Sequence, residues 1–398
     1  MTIRRCASWK KNPFLLPVLA SLVIFGLASK STMAQVWTKV GSVPTTQLLK
    51  GIVYANSQFV IVGSIGTILT SPDGAVWTLR TSGVSRDLYG VSASSSLFVV
   101  VGDSGTILSS PNGATWTKRT SNTTAMLTGI AYNGTTFVAA GMASAIITST
   151  NGTTWTTRTL GSSTDLTGVA WGDNKFVVAG FDGMNGTINT STNGTTWTKQ
   201  TVDAADGLLS IAWCGNAFVA GSSGMVVSPD GTKWTMYSGG LEYFIFSATG
   251  HGNRAIAVGD GGSIYSSPDD STWTGENSGT SVSLNCVTWG GSVFVAAGAS
   301  GTILTSPLLS AVLHRGNTPG KNVQDITVQN QSVRFSLPAA VAVTLRVYSA
   351  QGRLVQSMTR AMPKGEHSMS LSGLAPGNYL LSYQAGSRTI EKPFLVAR

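Results

Sequence analysis

A phenylalanine heading a short apolar run recurs at Phe59, Phe98, Phe137, Phe176, Phe218 and Phe294, with Ala255 standing in once. The steps are 39, 39, 39, 42, 37 and 39 residues. A repeat this short cannot bury a core alone, so successive units must stack and bury apolar surface between them. Each unit holds four short runs rich in Val, Ile, Thr and aromatics, which is strand chemistry. In the third unit these are Leu127–Tyr132, Phe137–Gly141, Ala145–Ser149 and Trp155–Arg158, with turns at Asn133-Gly134 and Asn151-Gly152. Runs such as Phe98–Val101 and Phe176–Val178 are apolar on both faces and predict strands covered on both sides. The alternating run Trp116–Thr120 predicts an outer strand with one wet face.

Four strands per ~40 residues is the pattern of a β-propeller blade. The seventh unit runs from Leu284 to Pro307 and stops before its tryptophan strand. A matching strand, Val36-Trp-Thr-Lys-Val40, precedes the first unit. Inserted beside the last unit it closes a ring and removes an open sheet edge. The expected fold is therefore all-β: a seven-bladed β-propeller over 35–307, its last blade closed by residues 36–40. An open β-solenoid is the competing architecture.

A tryptophan closes six units: Trp77, Trp116, Trp155, Trp197, Trp234 and Trp273. The turn before each reads Ser71-Pro-Asp-Gly-Ala-Val-Trp77, Ser110-Pro-Asn-Gly-Ala-Thr-Trp116, Ser149-Thr-Asn-Gly-Thr-Thr-Trp155, Ser191-Thr-Asn-Gly-Thr-Thr-Trp197, Ser228-Pro-Asp-Gly-Thr-Lys-Trp234 and Ser267-Pro-Asp-Asp-Ser-Thr-Trp273. These resemble a shortened Asp-box (BNR) repeat of sialidases and related propellers. With Gly105-Thr-Ile-Leu108 and Gly301-Thr-Ile-Leu304 ahead of the box position, they look most like propellers of the photosystem II assembly-factor type. The resemblance implies structural roles. Asp73, Asn112, Asn151, Asn193, Asp230 and Asp269 would cap the turn, and each tryptophan would pack between blades. It implies no particular activity.

Beyond Pro307 the period ends. Residues 308–325, with Pro319-Gly320, read as a linker. Residues 326–398 give about six short strands, at Ile326–Val328, Ser332–Leu337, Val343–Tyr348, Leu354–Met358, His367–Leu371 and Tyr379–Tyr383, which suggests a small Ig-like β-sandwich. Val343-Thr-Leu-Arg-Val-Tyr348, Gly352-Arg353, Gly373-Leu-Ala-Pro-Gly-Asn-Tyr379 and Glu391-Lys-Pro-Phe-Leu-Val396 resemble the (type A) C-terminal sorting domain of type IX secretion cargo. That resemblance implies recognition of residues 326–398 by outer-membrane secretion machinery, then release or attachment at the cell surface. A generic Ig-like accessory domain is the plainer alternative.

The N-terminus carries Arg4, Arg5, Lys10 and Lys11, an apolar stretch from Phe14 to Ala28, and small residues at Thr32 and Ala34. Residues 1–34 thus read as a signal peptide cut before Gln35, leaving no transmembrane span in the mature chain. The stretch is short for an uncleaved anchor. The formal charge of +9 is uneven. Residues 35–310 hold 11 Lys/Arg against 14 Asp/Glu, and residues 311–398 hold 10 against three. The basic excess lies in the two address segments, so nucleic acid is not an expected partner. Three cysteines and three dispersed histidines predict neither a disulfide framework nor a metal site, and no cofactor is expected.

In a propeller the loops entering the innermost strands and those joining second to third strands share one rim. Here they carry Arg86, Asp87, Asp165, Asp206 and Glu242, and Asp103, Asp182 and Asp260. These eight residues are the candidate ligand-binding set, an acidic cup for a cationic, sugar or calcium-bridged ligand, with a protein or carbohydrate the expected partner on the rim. A sialidase would need an arginine triad. Arg80, Arg119 and Arg158 instead recur once per unit on the expected outer strands. No serine-hydrolase elbow, zincin helix or phosphate loop is present. The expected role is a secreted or cell-surface, non-enzymatic binding or scaffold protein. The alternative is an extracellular glycoside hydrolase using a rim carboxylate pair such as Asp165 and Asp182, or Glu242 and Asp260.

Overall fold

The recurring phenylalanines are buried to within 1% of full burial, and so is Ala255. The computed structural model describes residues 37–202, 206–237, 241, 243–252, 254–307, 327–329, 332–349, 354–371, 373–385 and 388–396. The leader reading of residues 1–34 and the linker reading of 308–325 lie outside these residues.

Among the described residues between 38 and 307 there are seven antiparallel four-stranded sheets. The first spans Leu49–Ala55, Gln58–Gly63, Ile68–Ser71 and Thr78–Arg80. The second to sixth follow in order over 88–119, 127–158, 165–200, 210–237 and 245–276. The seventh combines Leu284–Gly290, Val293–Gly298 and Ile303–Pro307 with Thr38–Lys39 from the other end of the chain. Thr38 pairs with Thr305 and Lys39 with Leu304, and the Val40 amide donates to the Ile303 carbonyl at 2.9 Å. Trp37 is buried against Ile256, Val258, Phe294 and Leu304.

The second strand of each sheet is buried on both faces, as its doubly apolar sequence requires. In the first sheet Phe59 and Ile61 pack with Val295 and Ala297 of the seventh. Val60 and Val62 point the other way, to Leu88, Phe98 and Val100 of the second. The core is thus a series of seams between consecutive sheets. Side-chain bonds stitch the innermost strands across them. Thr128 donates to the Leu166 carbonyl and Thr167 to that of Leu208, both at 2.8 Å. Asn285 donates to the Leu49 carbonyl at 3.1 Å, joining the seventh sheet to the first.

Cys214 and Cys286 are free and buried, and burial pushes the Cys286 thiol up to about 12. They act as small core side chains.

The C-terminal residues form two antiparallel sheets. One holds Thr327–Gln329, Ser332–Leu337 and Gly365–Ser370; the other holds Leu354–Met362, Val341–Ser349, Gly377–Ala385 and Arg388–Val396. Val333, Phe335, Leu337 and Met369 of the first share a core with Val343, Leu345, Leu381 and Tyr383 of the second. The closing segment is itself an edge strand, with Pro393 opposite Leu380. An edge is where a strand tolerates a proline. No helix among the described residues is long and apolar enough to cross a membrane.

Candidate functional site

The rim is built from two interlocked sets of loops. Between second and third strands the chain makes tight turns at Ser64–Gly66, Asp103–Gly105, Asp260–Gly262 and Ala299–Gly301. The turn glycine is obligatory: a Cβ on Gly66 (φ +66°) would lie 2.0 Å from the Val84 carbonyl oxygen, and one on Gly105 (φ +67°) 1.9 Å from that of Thr123. Each turn docks on the loop entering the next sheet. The Gly66 amide donates to the Arg86 carbonyl at 2.9 Å and the Gly105 amide to that of Ala125 at 2.8 Å. The Gly301 amide donates to the Gln47 carbonyl at 3.0 Å, crossing from the seventh sheet to the first.

Most of the predicted rim acids serve this interlock. Asp87 accepts from the Ile65 amide at 2.9 Å and forms an ion pair with Lys50 at 2.8 Å. Lys50 and the Ile65 amide hold its carboxyl below the usual carboxylate range. The Lys50 ammonium also sits 4.0 Å from the centre of the Tyr89 ring. Asp165 accepts from the Ala143 amide at 2.8 Å. Ser223 donates to Asp206, and Ser283 to Asp260. The Ser283 contact and the Gly261 amide hold the Asp260 carboxyl low. Arg86 and Asp103 form an exposed ion pair at 3.5 Å. Asp182 pairs with Asn185 at the exposed end of its hairpin. Glu242 lies outside the described residues.

Four of the exposed large apolar side chains also lie on these loops: Ile65, Met184, Tyr243 and Phe244, with Met184 84% exposed. The sequence reading missed them and Lys50. Register comparison carries the signal for Lys50, which stands where Thr128, Thr167 and Asn285 make their stitches. The other four differ from unit to unit, so the repeat does not mark them.

The six tryptophan turns are alike in their bonding. Asp73 Oδ1 accepts from the Ala75 and Val76 amides at 2.9 and 3.1 Å, and the Gly74 amide donates to Ser71 Oγ at 2.9 Å. Asn112, Asn151 and Asn193 each accept the same two amides at 2.9–3.0 Å. Asp230 and Asp269 do so at 2.7–3.1 Å. Trp77, Trp155 and Trp273 are buried beneath their turns; Trp116, Trp197 and Trp234 are partly buried. The indole N–H of Trp77, Trp116 and Trp234 donates to its turn glycine carbonyl at 2.9–3.1 Å. Arg80, Arg119 and Arg158 donate to Thr70, Ser109 and Thr148 on the neighbouring third strand.

These turns carry a prediction. Asp73→Ala leaves two amides without their acceptor and should cost about 1–2 kcal/mol, whereas Asp73→Asn should cost less than about 0.5 kcal/mol, by chemical denaturation. The turns also bear on acid stability. The Thr232 hydroxyl and the Thr232 and Lys233 amides hold Asp230 far below the usual carboxylate range. Burial opposes ionisation of Asp269, but the Ser271 and Thr272 amides outweigh it and bring its carboxyl to about 2. Both pKa values are depressed in the fold, so both contribute stability above the unfolded value of about 3.9 and lose it as pH falls. The loss at Asp269 is completed as pH passes about 2. An Asp230→Asn/Asp269→Asn variant should show a shallower loss of stability with acid.

Two open surface hollows, of about 830 and 780 Å³, lie along the second and third sheets and the loops that follow them. Neither is lined by a predicted rim acid. Among the described residues no three of His, Cys, Asp and Glu converge on a point that could hold a metal.

Comparison with known proteins fits this picture. Residues 317–397 match the secretion system C-terminal sorting domain. No curated protein matches the chain. Similar solved structures include YCF48 from Cyanidioschyzon merolae, at 19% identity and TM-score 0.56, covering 69% of this chain and 99% of that one. YCF48 bound to D1 peptide is similar at 15% identity and TM-score 0.57, covering 70% and 96%. The WD40 β-propeller domain of Doa1 is similar at 15% identity and TM-score 0.58, covering 70% and 98%. At these identities the likeness concerns fold alone. The chain is a secreted or cell-surface protein that joins a β-propeller to a C-terminal secretion-sorting domain.

Proposed function

We propose that this protein is a non-enzymatic binding or scaffold protein that presents a protein or carbohydrate ligand on its propeller rim. Residues 1–34 are its export leader. Residues 35–307 are a seven-bladed ring of Asp-box type, 308–325 a linker, and 326–398 an Ig-like sorting module that engages the outer-membrane secretion machinery.

One observation carries the binding reading. The rim carboxylates at Asp87, Asp165, Asp206 and Asp260 are bonded to neighbouring loops and brace the surface. Asp87 and Asp260 are held ionised, opposite to the raised pKa a glycosidase general acid needs. What the braced rim offers is a fixed surface with exposed Ile65, Met184, Tyr243 and Phe244 beside acidic groups. Aromatic side chains beside polar groups suit peptide or sugar recognition.

The test is the leaderless protein against a polysaccharide panel and outer-membrane extract, reading thermal shift, captured protein and released reducing sugar together. Stabilisation or capture without sugar release is expected. Sugar release that disappears in Asp182→Asn or Asp165→Asn would make the glycoside hydrolase alternative correct.

A further inference from the structure

The seam between the fifth and sixth sheets departs from the others at three aligned positions. In the first, third, fourth, fifth and seventh sheets an aromatic residue of the innermost strand packs on the recurring phenylalanine, as in Tyr54–Phe59 and Trp213–Phe218, with centroids 4.3–4.7 Å apart. The second sheet keeps the phenylalanine and pairs it with Ala93. The sixth loses both partners and pairs Gly250 with Ala255. The fifth-sheet hairpin closes on this spot so tightly that a Cβ on Gly250 would lie 1.8 Å from the Cys214 carbonyl oxygen.

The third departure is Asp270, which stands where five other turns have glycine. It keeps the left-handed backbone, with φ +59°. A Cβ on the equivalent glycines 74, 152, 194 and 231 meets the phenylalanine ring at 3.3–3.6 Å. The side chain at 270 therefore heads for the place of the missing ring, and Ala255 leaves it room. Asp270 is 4% exposed, and its Oδ2 has no hydrogen-bond partner among the described residues. A buried carboxyl oxygen without a donor destabilises its surroundings, more so when charged.

We propose that this seam is the built-in weak point of the ring, and that the charge on Asp270 sets how tightly it closes. Among the described residues, the groups around it supply no compensating cation. The fifth-sheet hairpin presents Cys214, Ala217 and Asn216; the Asn216 side chain and backbone hydrogen-bond the Asp270 carboxyl but do not outweigh its burial. At the preceding seam the position of Ala217 is Lys175, which ties across to the Asp230 carbonyl at 2.7 Å. From the sixth sheet, Tyr265 and Trp273 line the seam, and the Asp269 carboxylate adds repulsion. Arg254 is committed to Glu276 at 3.2 Å, and His251 stacks on Trp289 in the seventh sheet. Tyr237 bridges the seam only at its outer edge, through the Trp273 backbone at 3.4 Å.

The direction with pH follows. Burial pushes the Asp270 carboxyl up, so the closed seam favours its protonated form. Stability from this group is greatest in acid and is lost as pH rises from the unfolded value of about 3.9 through the raised folded value. The turn carboxylates act oppositely, so overall unfolding mixes the two, and the local readout decides.

Hydrogen exchange on the whole leaderless chain tests this, corrected for intrinsic exchange and compared across seams. The second strands of the fifth and sixth sheets should exchange faster than those of the second and third, and the gap should widen as pH is raised from the unfolded carboxyl value of about 3.9 to neutral. Asp270→Asn should flatten the pH dependence, and Asp270→Gly should slow exchange at this seam by about tenfold or more. Asn can adopt the left-handed backbone, so that variant keeps the test open if the glycine variant fails to fold. Equal protection at all seams in the parent chain would overturn the proposal. So would a pH-dependent gap that survives both substitutions.

Discussion

Trp37→Ala should lower the stability of the propeller by about 3–5 kcal/mol, a core-tryptophan effect from a residue at its chain terminus. The indole is 8% exposed and packs with Ile256, Val258, Phe294 and Leu304, so it belongs to a seam of the ring. Removing residues 35–40 should go further. The strand Ile303–Pro307 would then present unpaired backbone along one edge, which invites association between chains. Chemical denaturation reads the first effect and size-exclusion chromatography the second. An unchanged midpoint for Trp37→Ala would mean that the ring does not depend on its closing strand.

Deleting residues 326–398 should abolish delivery to the cell surface and leave the propeller folded. The C-terminal sheets have a core of their own, built from Phe335, Leu345, Leu381 and their neighbours, separate from the seams of the propeller. In a host with the matching secretion machinery the truncated protein should accumulate in the periplasm. Its thermal unfolding should match that of the propeller in the full chain. Normal surface delivery would remove the sorting role from these residues, and collapse of the propeller would show that the two parts fold together.

Much of the fold was legible because one pattern is written seven times. The phenylalanine register, the tryptophan turns and the stray strand at Trp37 each repeat a fixed steric demand, and repetition separates demand from accident. Arg80, Arg119 and Arg158 were placed on outer strands for the same reason, and that is where they lie. The C-terminal edge strand was less legible, since Pro393 argues against a strand until its edge position is known.

The rim was legible only as a set of loops. Sequence placed Asp87 and Asp165 there but gave no sign that their carboxylates cap turns of the preceding sheet, 22 residues earlier. Those bonds depend on how far one loop leans over another, which no residue type announces. Asp270 was passed over for a different reason: within Ser267-Pro-Asp-Asp-Ser-Thr-Trp273 it reads as an ordinary turn residue. Its burial shows only when its register is set beside Ala255 and Gly250.

Hydroxyl-radical footprinting of the leaderless protein, with and without outer-membrane extract or a polysaccharide found to stabilise it, tests the proposed binding role of the rim most directly. The exposed side chains divide into two sets that serve as mutual controls. Met184, Tyr243 and Phe244 lie on the rim loops; Val76, Leu79 and Met236 lie on the tryptophan turns and outer strands. Protection of Met184, Tyr243 and Phe244, with Val76, Leu79 and Met236 unchanged, is the predicted result. Protection confined to Val76, Leu79 and Met236 would place the ligand elsewhere and contradict the assignment of the rim as the binding face.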